Sequence, residues 1–313
     1  MDEKAKIPEL KKWLKAVRVP FSTATIIPIA LGAVIAWSDT GSFLWARFWL
    51  TLAGGLLIHF ATNMSNDYFD HVSGCDEANP TPTPFSGGSR VIQEGLIPAK
   101  KVLYASLIAF SLGAAIGLYL NYSSGGNVIL VLGLIGIPLA FFYTAKPLRF
   151  GYGTFGEIAV GMGFGPLMVL GSYYVQAQAL TLRAFLVSIP IGILIALVLY
   201  INEFPDYTGD KKVGKRNLVV ALGKKHAVIL YHILLASVYL ITFLLVVFKF
   251  LPLMALIVFL SAPLAFKAYT VSKKNYEKVF DLLPANAATI GLHSLIGILL
   301  CMSFIIDKII RKV

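Results

Sequence analysis

The chain has 313 residues, of which 57% are hydrophobic and only 14% charged, with a mean hydropathy of +0.76. Soluble chains of this size carry roughly 25% charged residues, so the composition argues against a soluble domain and for a chain that crosses a membrane repeatedly. The net charge of +11 would favour nucleic acid in a soluble protein. In a membrane protein it reflects topology and an anionic lipid surface, and no nucleic-acid partner is expected.

Residues 1–18 are basic and amphipathic, with Ile7, Leu10, Trp13 and Leu14 on one side and lysines on the other. They predict an interfacial helix rather than a signal peptide, because no small-residue cleavage site follows. Nine apolar runs come next, roughly at 20–38, 47–66, 101–120, 127–143, 155–175, 184–204, 225–247, 251–271 and 286–306. They predict an all-α fold: one domain over residues 1–313, a bundle of about nine transmembrane helices around a central cavity.

With nine spans, 21 of the 27 Lys and Arg residues fall on the N-terminal side. The positive-inside rule then puts the N-terminus and the long polar loops in the cytoplasm and the protein in the cell membrane. The basic C-terminus (Lys308, Arg311, Lys312) disagrees, so it either tolerates the outside or a span is miscounted. Cys75 and Cys301 are the two cysteines and indicate neither a disulfide framework nor a zinc site.

Two acidic stretches each end an apolar run. The first is NMSNDYFDHVSGCD, Asn63 to Asp76; the second lies in YINEFPDYTGDKKVGKRNL, Tyr200 to Leu218. Asn66 and Asp70 are spaced i, i+4, as are Asn202, Asp206 and Asp210, so on helices each set shares a face. Asp67 lies beside Asn66 as Glu203 lies beside Asn202. Asp67, Asp70, Asp76, Glu203, Asp206 and Asp210 hold six of the sixteen acids. Facing one cavity, two such clusters would repel each other unless a hard cation joined them, and oxygen ligands favour Mg²⁺ over zinc. Two clusters point to two Mg²⁺ ions, with Mn²⁺ as a substitute, bridging a diphosphate. Pro205, Gly74 and Gly209 loosen both motifs, so a distorted turn is expected at Asp210.

Basic residues follow the acids. Arg90 ends PFSGGSR, Lys146 and Arg149 lie in YTAKPLRFGYG, and Lys211, Lys212, Lys215 and Arg216 follow the second motif. Arg90, Lys146, Arg149, Lys215 and Arg216 are candidates to stabilise a departing diphosphate; topology alone also accounts for loop bases. Tyr143 is a candidate to face a developing cation through its ring, or to belong to an aromatic belt. His59 and His293 sit inside apolar runs and read as bundle histidines.

With these residues in place, the chain resembles the UbiA superfamily of intramembrane prenyltransferases. The resemblance rests on about nine spans, the NDxxD motif at Asn66 to Asp70 and the DxxxD motif at Asp206 to Asp210. Within that superfamily, NMSNDYFDHVSGCD, FSGGSRVIQEGLI, YTAKPLRFGYGTFGE, GSYYVQ and LPANAATIGLHSLIG are similar to the dihydroxynaphthoate prenyltransferases of menaquinone synthesis. The resemblance implies Mg²⁺-dependent transfer of a polyprenyl group from its diphosphate to a small aromatic acceptor, with loss of the acceptor's carboxylate. It assigns Asn66, Asp67, Asp70, Asn202, Asp206 and Asp210 to the metals, Asp70, Asp206 and Tyr143 to catalysis, and Asn63, Asp76 and Glu203 to supporting positions. The tail then needs an apolar channel, where Gly161, Gly163 and Gly165 either make room or pack helices. A lipid glycerol such as geranylgeranylglyceryl phosphate, a hydroxybenzoate or a chlorophyllide are alternative acceptors. A secondary transporter is the alternative from another class; its charges would sit near mid-span.

Overall fold

The computed structural model describes residues 7–311. The first six residues of the expected interfacial helix, and Lys312 of the basic C-terminus, lie outside the described residues. All regular structure among the described residues is helical, and the only pairing of extended backbone is an isolated bridge between Thr83 and Ser86.

The elements are α1 (Glu9–Ala16), α2 (Thr23–Thr40), α3 (Trp45–Ser73), α4 (Cys75–Ala78), α5 (Ala99–Ser124), α6 (Val128–Phe141), α7 (Gly156–Met162), α8 (Met168–Ala177), α9 (Leu182–Lys212), α10 (Leu218–Leu222), α11 (Lys224–Val247), α12 (Ala262–Asn275) and α13 (Val279–Ile310). A π-turn over Gly163–Leu167 joins α7 to α8, and a 3₁₀ stretch over Leu253–Ser261 leads into α12. Seven helical segments are long and apolar enough to cross a membrane. Two more of the predicted runs are also helices. One is α3, whose C-terminal end carries the first acidic motif; the other is α6, at 14 residues a shorter apolar helix.

Outward apolar faces are what a bilayer selects. Leu118, Leu134, Ile233, Leu240 and Leu260 are exposed, while a core of α2, α9, α11 and α13 side chains buries Leu31, Ile191, Leu194, Tyr231 and Leu292. α1 departs in detail from the expected apolar stripe. Ala16 is buried against α3 and α5 with Trp13 and Val17, and Leu10 and Leu14 remain exposed.

The basic C-terminus lies at the end of the bundle where α2 ends. Lys308 Nζ donates to Ser38 O at 2.6 Å, Arg183 pairs with Asp39, and Arg311 Nε is 3.0 Å from Asp307 Oδ2. Asp39 and Asp307 thus offset these bases.

The three glycines at 161, 163 and 165 divide between packing and space. A Cβ on Gly161 would meet Gly192 O at 3.0 Å, and one on Gly165 would meet Gly192 Cα at 2.5 Å, so these two pack α7 and the π-turn against α9. Gly163 faces open space. Gly165→Ala is therefore expected to cost about 1–3 kcal/mol through overpacking, while Gly163→Ala leaves stability unchanged. Thermal unfolding of the two variants in one detergent checks this; equal midpoints would contradict it.

Candidate active site

A cavity of about 680 Å³ runs through the bundle between α3, α5, α6, α8 and α9. It follows α3 from Asp70 to Thr51, which at 1.5 Å per residue is about 28 Å of depth. One end is polar, lined by Asn66, Asp70, Asp76, Asn202, Asp206 and Asp210. The rest is apolar, with Ile58, Leu132, Phe164 and Leu199 among its walls, and Gly117, Gly133 and Gly163 facing open space.

The two acidic motifs meet because α3 and α9 both bring their C-terminal ends to the same place. α3 stops where Gly74 takes a left-handed conformation at φ 75°. α9 does not stop. It runs unbroken from Leu182 to Lys212 with Pro190 and Pro205 inside it, so the turn expected to distort Asp210 is helical. Gly209 suits that turn: a Cβ there would press on Asn79 Cα at 3.0 Å. Asn202, Asp206 and Asp210 thus keep one face and all line the cavity. These acids stand at one end of the cavity, not at mid-depth, which disfavours the transporter reading.

Each carboxylate is held. Tyr152 OH donates to Asp70 Oδ1 at 2.9 Å. Asp206 accepts from Asn79 Nδ2 at 2.6 Å and from Gly87 N at 3.2 Å. Asp210 accepts from Asn217 Nδ2 at 2.7 Å, and Lys215 Nζ lies 3.4 Å from its Oδ1. Asn66 accepts from Thr144 at 2.9 Å, and Asn286 donates to Asn202 Oδ1 at 2.8 Å. The loop that carries Gly87 reaches Asp206 by folding back through Gly87 and Gly88, both at φ 77°. A Cβ at these positions would lie 2.8 Å from Asn79 Nδ2 and 2.5 Å from Asp76 Oδ2.

Asp67 points elsewhere. It is buried, pairs with Arg18, and accepts from Ser89 N at 3.2 Å and from Ser89 Oγ. It is not among the cavity-lining residues. Asn63, expected in a supporting position, does line the cavity and donates to Val17 O at 3.0 Å. Burial, then the charges of Asp70 and Asp67, push the Asp76 carboxyl up to about 8.

Of the five expected diphosphate partners, Lys215 lines the cavity. Burial opposes its charge, but Asp210 and Asp70 hold its pKa well above the ordinary lysine value. Arg90 donates to Asp76 O at 2.6 Å, and Arg149 sits 3.8 Å above the Tyr152 ring. Lys146 and Arg216 are exposed. Tyr143 lines the cavity, with its ring packed so closely on Gly151 that a Cβ there would lie 2.7 Å away.

Arg18, Asn79, Tyr152 and Asn217 carried no weight in the sequence, although they hold or line this site. Arg18, Arg90 and Arg149 all adopt left-handed backbones at this end, with φ of 53°, 65° and 47°, which no sequence pattern announces.

The donor set fits a hard divalent cation, being carboxylate and amide oxygens. Among the described residues, no three His, Cys, Asp or Glu side chains stand together as a complete metal cage. Mg²⁺ takes one or two carboxylates and completes its shell with water and phosphate, which the carboxylate and amide oxygens at the head of the cavity can supply in part.

The family model described as UbiA prenyltransferase family matches residues 25–290. The chain is 30% identical over 285 residues to a 1,4-dihydroxy-2-naphthoate octaprenyltransferase of Bacillus subtilis, covering 91% of this chain and 89% of that protein. It is 27% identical over 296 residues to a 2-carboxy-1,4-naphthoquinone phytyltransferase of Synechocystis, covering 94% and 93%. Among solved structures, a UbiA homolog from Archaeoglobus fulgidus bound to DMAPP and Mg²⁺ superposes with a TM-score of 0.66 at 15% identity, over 93% of this chain and 99% of the other. A digeranylgeranylglyceryl phosphate synthase superposes with a TM-score of 0.63 at 17% identity, over 95% and 98%.

Proposed function

The chain belongs to the UbiA prenyltransferase family, and we propose that it moves a polyprenyl group from an allylic diphosphate onto a dihydroxynaphthoate, as in menaquinone synthesis. The observation that carries this reading is the division of one cavity into an acidic head and a long apolar body. A diphosphate belongs at the head, and a polyprenyl tail along the rest.

Asn66, Asp70, Asn202, Asp206 and Asp210 would hold two Mg²⁺ ions there, with Asp67 supporting from behind through Arg18. Bound Mg²⁺ supplies neutralisation of the diphosphate's charge, which makes it a better leaving group. Lys215 binds the same group from the side. The bond between the prenyl C1 and oxygen breaks, and its electron pair leaves with the diphosphate. Tyr143 presents its ring to the allylic cation. The apolar wall around Phe164 and Leu199 keeps water from capturing it. The ring carbon that bears the acceptor's carboxylate then gives its π pair to C1. Loss of the ring carboxylate as CO₂ returns a pair and restores the aromatic ring. We place the head of the cavity at the cytoplasmic face of the cell membrane, where the soluble acceptor enters.

The test uses purified protein with Mg²⁺, a polyprenyl diphosphate and a panel of acceptors. Diphosphate release with 1,4-dihydroxy-2-naphthoate, abolished by a chelator and restored by Mg²⁺ or Mn²⁺, is the expected result. No release with any acceptor and either ion would sink the prenyl-transfer reading. Release with a lipid glycerol but not a naphthoate would sink the acceptor assignment alone.

A further inference from the structure

We propose that Arg18 binds the carboxylate of the aromatic acceptor. The inference rests on the prenyl-transfer reading above and assigns a subsite within it.

Among the described residues, Arg18 and Lys215 are the only Lys or Arg side chains that line the cavity. They reach its head from different sides: Lys215 lies beside Asp210 of α9, and Arg18 pairs with Asp67 of α3. Two anionic reactants share this head, a diphosphate and a carboxylated ring. Lys215 serves the first, which leaves Arg18 for the second.

The Arg18 guanidinium is open and only partly committed. Its side chain is 27% exposed, while that of Asp67 beneath it is 2% exposed. A guanidinium carries five N–H donors. Nη2 donates to Asp67 Oδ1, and Nε is sealed without a partner. Nη1 has no hydrogen-bond partner among the described residues and is not one of the sealed atoms, so it is the arm a ligand can reach. Asp67 also accepts from Ser89 N and Ser89 Oγ, which divides its charge between Arg18 and the loop.

The backbone fixes where this arm points. Arg18 holds a left-handed φ of 53°, uncommon for any residue but glycine. The 3₁₀ turn over Val19–Ser22 follows, and Phe21 N donates to Arg18 O at 2.9 Å. Such strain persists where the surroundings over-determine it, and it gathers at ligand sites. The same turn brings Phe21 to the cavity wall, an apolar ring beside the charge. A carboxylate on a flat aromatic ring matches the pair: the planar guanidinium suits the carboxylate, and Phe21 suits the ring. A diphosphate would use only the first. During transfer the carboxylate leaves as CO₂ and its bonding pair stays with the ring. The product therefore loses its hold on Arg18, which favours its departure.

The test uses the full-length protein and two inert competitors of 1,4-dihydroxy-2-naphthoate: 2-naphthoate and its uncharged amide. Wild type is expected to bind the carboxylate at least about tenfold more tightly than the amide. Arg18→Lys keeps a charge for Asp67 but loses the second arm. It should narrow that ratio to about twofold or less and raise the acceptor KM about tenfold, with donor KM and Mg²⁺ half-saturation near wild type. If Arg18→Lys does not fold, Arg18→Gln with Asp67→Asn removes both charges and strands neither; the same collapse of the ratio is expected. Equal inhibition of wild type by the two competitors overturns the inference without any variant. So does a full carboxylate preference kept by a folded variant. A rise in donor KM with acceptor KM unchanged also overturns it, and moves Arg18 to the diphosphate. A wild type that releases no diphosphate with 1,4-dihydroxy-2-naphthoate overturns the underlying reading instead.

Discussion

Asp70→Ala and Asp206→Ala are each expected to lower turnover by about a thousandfold or more and leave the bundle folded. Neither side chain carries the packing. Asp70 gives up one hydrogen bond from Tyr152, and Asp206 gives up two from the loop above it. Water at the mouth of the cavity can meet all three donors. What is lost is a negative oxygen at the place where two Mg²⁺ ions would meet a diphosphate. Lewis-acid stabilisation of such a group is worth several kcal/mol, and each 1.36 kcal/mol is a factor of ten in rate. Asp67→Ala should behave differently. Its carboxylate is buried against Arg18 and Ser89 and does not line the cavity. Removing it strands the Arg18 charge, and breaking a buried pair in this way costs about 3–5 kcal/mol. Diphosphate release, read beside size-exclusion profile and thermal midpoint, separates the two cases. Near-normal release from Asp70→Ala or Asp206→Ala would end the metal assignment. A normal midpoint with full loss of rate in Asp67→Ala would place that residue on the metal instead.

That contrast marks where sequence reading stopped. Spacing put Asn66 with Asp70, and Asn202 with Asp206 and Asp210, because i, i+4 geometry depends only on helical pitch. The same pattern could not reveal that Asp67, one position along, turns about 100° away around α3 and into Arg18. Arg18 looked like one more base on a cationic N-terminal helix. Its role arises from a left-handed turn at φ 53° that swings it under α3, and no local periodicity encodes that. Pro205 illustrates the opposite error. Proline removes one backbone donor, and the sequence offered no reason for the helix to continue; in the fold, burial of Phe204, Pro205 and Gly209 among neighbouring elements carries α9 through to Lys212. The apolar runs themselves were legible because a bilayer demands about 20 apolar residues per crossing whatever the partners are. The carboxylate partners Asn79, Tyr152 and Asn217 were not, since a single amide or phenol in a loop gains meaning only from what folds over it.

Basic residues pose the same problem, and they yield the second large effect. Five were candidates for the diphosphate, and the fold distinguishes them. Lys215 has a side chain only 12% exposed, with Nζ 3.4 Å from Asp210 Oδ1 at the acidic head. Asp210 and Asp70 keep it charged despite burial. A preorganised ammonium beside a leaving diphosphate is a case where one donor is worth about a hundredfold to a thousandfold in rate. Lys215→Ala is expected to lose that much, and Lys215→Arg to recover part of it, because charge is kept while shape is not. Lys146 and Arg216 are exposed, so Lys146→Ala and Arg216→Ala should stay within about threefold, as screened surface charges do. Arg149 falls between. Its guanidinium lies over Tyr152, and Tyr152 donates to Asp70. Arg149→Ala should therefore act through a loosened Asp70 and mimic a mild form of that loss, raising the Mg²⁺ concentration needed for half-maximal rate. Initial rates across a Mg²⁺ titration for all four positions decide the matter. Lys215→Ala at more than a third of wild-type rate, or Lys146→Ala as damaged as Lys215→Ala, would show that the departing diphosphate is held outside the cavity described above.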